Sequence, residues 1–600
     1  MDANGKVRVQ SSRRQFLALT AGAAVAPLAG SSLVEPALIG TAQAQTRPTP
    51  NVRTAASGRP KLNIVFVFTD QERYSSKWPS GLSLPGHERL QKTGVTFHSH
   101  YCPAVMCTSS RAVLLTGLQT PDNRMFENAD VPWVRNMSTD IPTIGHMLRK
   151  AGYYTAYKGK WHLNSKFESE EPDRLFTKEM NQYGFADYFT PGDIIGHTLG
   201  GYQFDHLIAG SAVTWLRRNG RPLADDGKPW CLFVSLVNPH DIMYFNTDAP
   251  GQKIQDTGHL MKHAARAPDH PLYKATWDVP LPKNISQPFD APGRPKAHDE
   301  FLKMWNYVLG HIPPEEERWR RFNDYYINCT RSVDAQIARI FEELDALKLA
   351  ENTIIVFTSD HGEMAGAHGL HGKGPFAYEE ITHLPFYMVH PDVKGGQDCR
   401  ALTGHIDVVP TLLAMAGVGP GKSGEIAGRT LPGKDMTPLL TNPGSADTRA
   451  IREGALFTYS GLATNDSDLW RVINDAKAAG KNPKLAIIKQ GYKPNMKKRG
   501  SLRSAFDGQY KFTRYFAPGE RNRPTTIDEL YKWNDVELFD LKTDPNEMVN
   551  LAQDRVTNRE LILNMNNKLE ALIKAEIGVD NGREMPNIPL INWTVDRVDL

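Results

Sequence analysis

The chain has 600 residues, with 70 Lys and Arg against 67 Asp and Glu, for a formal net charge of +3. That near balance leaves no electrostatic footprint for nucleic acid, 5 cysteines are too few for a disulfide scaffold, and no apolar run reaches the roughly 20 residues that span a bilayer. With 40% hydrophobic and 23% charged residues, the composition is that of a globular enzyme able to bury a large core.

The first 44 residues read as an address. Ser12-Arg13-Arg14-Gln15-Phe16-Leu17 precedes the Ala/Gly-rich apolar stretch Ala18 to Gly30, which resembles a bacterial twin-arginine export signal. Ala42-Gln43-Ala44 supplies the small-x-small pattern of a signal-peptidase site, so cleavage is expected before Gln45. The expected partner of this segment is the twin-arginine export machinery, and the expected destination is the periplasm or the exterior. Residues 45–60, rich in Pro, Thr and Ser, read as a flexible lead-in.

Leu62 to Phe68 is a continuous apolar run ending at Thr69-Asp70-Gln71. Runs of this kind, without alternation, predict central strands buried on both faces of a parallel sheet. The same texture returns at Tyr153–Tyr157, Trp230–Val237 and Thr353–Thr358. Before the last of these, Ile337, Ile340, Phe341, Leu344 and Leu347 recur at helical spacing and predict a helix over Val333–Leu347. The alternation predicts a doubly wound α/β domain with a mostly parallel sheet flanked by helices over 61–450. Residues 245–320 carry little periodicity and read as an insertion over the sheet, with Tyr244, His259, Trp277 and Trp305 as candidate pocket walls. From 451 to 600, Gln509–Phe512 and Val536–Leu541 predict strands, and Thr557–Ile573 a helix, of a smaller α+β subdomain. Ligands of such sheets bind beyond the carboxyl ends of the strands, where Asp70, His240 and Asp360-His361 all fall.

Cys107-Thr108-Ser109-Ser110-Arg111-Ala112-Val113-Leu114-Leu115-Thr116-Gly117 is the most informative segment. Ser109 or Ser110 can cap a short helix that Gly117 ends, placing Cys107 at the positive end of a helix dipole beside free N–H groups. Arg111, about a turn on, can point back to the same place. A lone cysteine is otherwise most often a buried structural residue.

This segment resembles the signature of the formylglycine-dependent sulfatases (Cys, x, Pro or Ala, Ser, Arg, three residues, Leu, Thr, Gly), departing from it at Ser109. Further strings are similar to that family in the same order: Asn63 to Asp70, Gly159-Lys160-Trp161-His162-Leu163, Asn238-Pro239-His240, Thr358 to Glu363 followed by His368 to Gly374, Ile406 to Leu413, and Glu537 to Leu541. The resemblance implies an alkaline-phosphatase-like fold and hydrolysis of a sulfate monoester, of a small molecule or a carbohydrate. It implies that a formylglycine-generating enzyme oxidises Cys107, whose hydrated aldehyde offers one hydroxyl for attack at sulfur and a second whose deprotonation expels sulfate. One divalent cation is implied, held by Asp70, Gln71, Asp360, His361 and the residue at 107. Oxygen ligands suit Ca²⁺, while the imidazole makes Mn²⁺ an alternative.

By the same resemblance, Arg111, Lys160 and Lys373 balance charge on the sulfate, and His162 takes the proton of the second hydroxyl. His240 with Lys373 assists the leaving oxygen, and Asn128 contacts substrate. His368 and His371 read as loop structure. Gln71 and His361 resemble the choline-sulfatase and phosphonate-monoester-hydrolase branches. A phosphonate monoester or phosphodiester hydrolase on the same site is therefore an alternative, as is a sulfate- or glycan-binding relative without turnover. The remaining Cys102, Cys231, Cys329 and Cys399 are expected as free buried thiols.

Overall fold

Asn63–Asp70 runs along the middle of an eight-stranded sheet in the computed structural model, and all of its residues are buried. The structure describes residues 60–131, 133–167, 175–190, 198–255 and 264–586. The export leader, the cleavage site, the lead-in up to residue 59 and His259 lie outside them. The strand order is Gln397–Cys399, Val95–Phe97, Phe386–Val389, Thr353–Ser359, Asn63–Asp70, Trp230–Pro239, Tyr154–Gly159, Ala186–Phe189. Phe386–Val389 runs antiparallel to both neighbours, and the remaining pairings are parallel.

The lack of alternation in the central strands has its cause in two covered faces. Ile64, Phe66 and Phe68 join one core with Ala112, Leu115, Leu148 and Leu412, while Val65 and Val67 join another with Ile208, Ala212, Val333, Ile337 and Ile340. The doubly wound, mostly parallel architecture expected from the sequence is the observed one. Its central strands run one or two residues further than their apolar runs, so Asp70 is the last residue of its strand. Register sets Thr69 beside Ser359 and Asp70 beside Pro239. Asp70, His240 and Asp360 consequently share one carboxyl edge of the sheet.

The expected helix Val333–Leu347 is the second half of a longer one, Glu316–Ala346. Its first half buries Arg318, Asn323, Asn328 and Thr330 beside Trp319, Phe322 and Tyr326, a mixture that hides the apolar period. The segment 245–320 is likewise not aperiodic throughout. Lys296–Leu309 is a helix with Ala297, Phe301, Met304, Trp305 and Val308 buried at helical spacing. At the C-terminal end, Ala455–Tyr459, Ser501–Phe506, Tyr510–Phe516 and Asp535–Asp540 form an antiparallel four-stranded sheet, against which Arg559–Glu576 packs. The first two of these strands carry no strong sequence signal. Their faces are divided between the packed helix and the catalytic region, so neither alternation nor a continuous run stands out. All five cysteines are buried and unpaired with one another.

Gly159, which ends its strand just before Lys160, has φ 92°, and a Cβ there would lie 1.9 Å from the Ser235 carbonyl oxygen. Gly159→Ala is expected to cost on the order of 2 kcal/mol or more through left-handed strain and a clash with backbone that cannot give way. A thermal melt unchanged from wild type would show that the two strands can separate without penalty.

Candidate active site

The helix Cys107–Thr116 begins at the cysteine itself. This corrects the expected capping by Ser109 or Ser110: Met106 occupies the cap position and no side chain caps it there. Ser110 Oγ instead donates to the Asp360 carbonyl at 2.5 Å, and Ser109 Oγ is buried without a hydrogen-bond partner among the described residues. Gly117, at φ 68°, closes the helix through its N–H to the Val113 carbonyl. The free N–H of Thr108 donates to Asn128 Oδ1 at 3.3 Å, and Thr108 Oγ1 donates to the His162 carbonyl at 2.6 Å. Asn128 therefore stands at the helix start, anchored through its oxygen.

Ligand atoms of Asp70, Cys107, Asp360 and His361 all lie within 4.8 Å of one another, and all four residues are buried. Cys107 Sγ is 3.1 Å from His361 Nε2 and 3.7 Å from Asp70 Oδ1. His361 Nδ1 faces the Gly362 carbonyl at 3.0 Å, an acceptor, so the proton sits on Nδ1 and the Nε2 lone pair is turned into the cluster. Two carboxylates, one imidazole lone pair and one side chain at a helix N-terminus form a donor set that fits a divalent cation. Gln71, at φ 73°, accepts from Lys373 Nζ through Oε1 at 2.6 Å and donates to Glu363 through Nε2. It connects the strand of Asp70 to the loop of Lys373 and keeps a second lone pair on its oxygen.

Two buried anions cannot share an edge unless cations hold them. Arg111 Nε donates to Asp360 Oδ2 and Arg111 Nη2 to Asp70 Oδ2, both at 2.8 Å, while Nη1 donates to the Lys160 carbonyl and Ser235 Oγ. Its guanidinium also lies over the Phe68 ring, 5.0 Å from the centroid. Its nitrogens are engaged by protein acceptors at full burial, which makes it a positioning residue for both aspartates. Lys160 Nζ donates to the same Asp70 oxygen at 2.7 Å. Burial pushes the Asp70 carboxyl up, but Lys160 and Arg111 hold it well below the usual range.

His162 Nε2 lies 3.5 Å from Asp130 Oδ1. Burial lowers its pKa, yet Asp130 and Cys107 bring it above the ordinary histidine value. His240 is buried in the same cluster. Burial first, and then Lys160, holds its imidazole neutral, well below the usual value. Its Nδ1 has no hydrogen-bond partner among the described residues. Of the candidate wall residues, Tyr244 lies 5.9 Å ring to ring from His240, and Trp305 donates to His371 Nδ1 at 3.2 Å. Trp277 is turned onto Asn328 Oδ1, within the helix packing.

Three further residues belong to the site. Glu363 receives Gln71 Nε2 and the N–H groups of Ala365 and Gly372. Asp130 faces His162. Glu127 binds Trp133 Nε1 at 2.6 Å and the Leu462 and Ala463 N–H groups, tying the Asn128 loop to the C-terminal region. Glu363 stands inside the string Thr358 to Glu363 and Glu127 directly before Asn128, but nothing in a string shows what a carboxylate faces across the fold.

Residues 62–418 match the sequence model of the Sulfatase family. The chain belongs to this family. It is 25% identical over 436 residues to the choline-sulfatase of Rhizobium meliloti, covering 69% of this chain and 78% of that protein. To the N-acetylglucosamine-6-O-sulfatase of Bacteroides thetaiotaomicron it is 26% identical over 461 residues, 69% and 79% of the two chains. Among solved structures, a 2-O glycosaminoglycan sulfatase matches with a TM-score of 0.61 at 20% identity, over 88% of this sulfatase and 94% of that chain. The phosphonate monoester hydrolase of Agrobacterium radiobacter matches with a TM-score of 0.59 at 18% identity, over 86% and 96%. The fold is that of the alkaline-phosphatase-like enzymes, and the protein is a sulfatase, hydrolysing sulfate esters.

Arg111→Ala leaves both buried carboxylates short of donors, and is expected to cost about 3–5 kcal/mol of stability as well as much of the bound metal. Arg111→Lys should recover only part of the loss, since one ammonium cannot span both carboxylates as the guanidinium fork does. Thermal unfolding with elemental analysis checks both. Wild-type stability and metal content in Arg111→Ala would contradict the positioning role.

Proposed function

We propose that this sulfatase acts through formylglycine formed from Cys107, with one divalent cation held by Asp70, Asp360 and His361 beside the residue at 107 and Gln71. The observation that carries the reading is the convergence of those side chains, within 4.8 Å, on a cysteine that opens a helix. Oxidation of Cys107 by a formylglycine-generating enzyme would supply a hydrated aldehyde, one hydroxyl to attack sulfur and another whose deprotonation releases sulfate. The cation, with Ca²⁺ first and Mn²⁺ the alternative, supplies Lewis-acid polarisation when bound.

The chain's own residues then divide the work. Arg111 fixes the two aspartates, and the Nδ1 hydrogen bond to Gly362 fixes the metal-facing nitrogen of His361. Lys160 neutralises Asp70 from the other side. His162, backed by Asp130, is placed to receive a proton beside residue 107. Lys373, positioned by Gln71, provides charge for the departing side. His240, neutral and with a free ring nitrogen among the described residues, donates a hydrogen bond toward the leaving oxygen. Small-molecule and carbohydrate sulfates are the substrate classes. The Asp360-His361 pair also favours a second reading, hydrolysis of phosphonate monoesters or phosphodiesters. Side-by-side assays of aryl sulfate, aryl phosphonate and phosphodiester on one preparation separate the two readings. Export through the twin-arginine pathway to the periplasm or exterior completes the proposal.

A peptide mass spectrum around position 107 should show conversion of thiol to aldehyde in active enzyme, and Cys107→Ala should lose turnover while retaining its melting temperature. Unmodified thiol throughout a fully active preparation would remove the nucleophile from this account. A leaving-group series tests His240. His240→Ala should slow alkyl and sugar sulfates by more than a nitrophenyl sulfate, whose phenoxide departs with little protonation. Equal losses across the series, at unchanged metal content, would make His240 a binder of sulfate instead.

A further inference from the structure

A second group of ligand atoms lies apart from the first. Atoms of His368, Glu380 and Glu547 fall within 4.8 Å of one another. His368 is fully buried and stacked on Tyr378 at 3.7 Å between ring centres. Its Nδ1 lies 2.6 Å from Gln287 Oε1, an acceptor, so Nδ1 carries the proton and Nε2 presents a lone pair. That Nε2 has no hydrogen-bond partner among the described residues, and neither has the buried Glu380 Oε2. Glu547 Oε2 accepts from the Glu379 N–H at 2.8 Å, which leaves Oε1 for the cluster, 3.0 Å from Lys511 Nζ. Of these three acceptor atoms, Glu547 Oε1 has the Lys511 ammonium beside it, while His368 Nε2 and Glu380 Oε2 face the cluster out of water with no donor among the described residues, an arrangement that costs several kcal/mol unless a proton or a further cation joins them.

Glu379, Glu380 and Glu547 stand among Lys511, which donates to Glu379 at 2.7 Å, His383, 2.9 Å from Glu379, and the fields of Arg73 on Glu380 and Arg294 on His368. The charged partners lie on Glu379 and Glu547, which leaves the Glu380 and His368 acceptor atoms for a ligand. Burial, and after it the neighbouring Glu379 and Glu380, pushes the Glu547 carboxyl up to about 8 although Lys511 lies beside it. Both His368 (φ 55°) and Glu547 (φ 52°) are held in left-handed backbone conformations.

We propose that His368 Nε2, Glu380 Oε2 and Glu547 Oε1 form a second, structural metal site for a divalent transition cation. One imidazole nitrogen with two carboxylate oxygens is a donor set of the zinc type, and suits oxygen-seeking Ca²⁺ less well. The cation joins the turn Ala367–Gly369, which precedes Lys373, to the loop after the strand Asp535–Asp540. It therefore pins the lysine loop of the active site to the C-terminal sheet. The site is independent of the formylglycine reading.

The test is metal stoichiometry on the purified full chain, with Zn²⁺ and Co²⁺ as probes. Wild type should take up one more tight equivalent of Zn²⁺ than Glu547→Gln, and that equivalent should survive in Asp360→Ala, where the first site is broken. Co²⁺ in Asp360→Ala should give d–d bands that vanish in Asp360→Ala/Glu547→Gln. His368→Phe, which keeps the stack on Tyr378, should repeat the loss of one equivalent if Glu547→Gln folds poorly. Equal Zn²⁺ content in wild type, Glu547→Gln and His368→Phe would overturn the site and leave a shared proton joining the carboxylates. Loss of an equivalent in Glu547→Gln but none in Asp360→Ala would support this site while refuting the first.

Discussion

Two carboxylates at one sheet edge, buried beyond the reach of water, are the constraint on which the rest of the site depends. Asp70 ends one central strand and Asp360 follows its neighbour, so the parallel register alone brings like charges together. A single guanidinium donates to both, and Lys160 adds a third contact from the end of a nearby strand. Buried charges persist only when paired and hydrogen-bonded. The anions fix where the cations stand, and the cations in turn hold Asp70 well below the usual carboxylate range.

The helix carrying Arg111 also carries Cys107, the nucleophile position in the proposed function. Because Arg111 is one turn from Cys107, docking the guanidinium on the aspartates delivers residue 107 to the cluster with the helix N-terminus facing it. Ser110 and Thr108 fasten the same turn to Asp360 and His162. The chemistry proposed for Cys107 is therefore built on a rigid element rather than on a loop, and the positive end of the helix adds to the field there. The insertion and the C-terminal sheet act at the periphery. Lys296–Leu309 sets Trp305 beside His371 and Gly372, and Glu127 ties the loop of Asn128 to the backbone of residues 462–463.

His162 and His240 are shifted in opposite directions although they are equally buried. His162 has a carboxylate partner in Asp130 and is drawn toward its protonated form, whereas His240 stands near Lys160 and Lys373 and is kept neutral. Residue type does not set the direction of these shifts; the neighbouring charge does.

Much of this was legible in the residues themselves. Unbroken apolar runs mark strands covered on both faces, since only burial on both sides removes the polar alternation, and the residues after those runs name Asp70, His240 and Asp360. The segment from Cys107 to Gly117 marks the helix and places Cys107 and Arg111 a turn apart on it. Periodicity did not extend to residues 316–332 or to Lys296–Leu309, where polar and aromatic residues share the buried stripe, nor to the first strands of the C-terminal sheet. What only the tertiary structure decided was the direction of each side chain. Arg111 turns to the aspartates, Asn128 to the helix start, Asp130 to His162, and Glu380 and Glu547 to His368. Apolar pattern records how much of an element is covered, because burial acts on every residue of a face. A hydrogen-bond partner lies tens or hundreds of residues away, and its position follows from sheet order and register, which no local string contains.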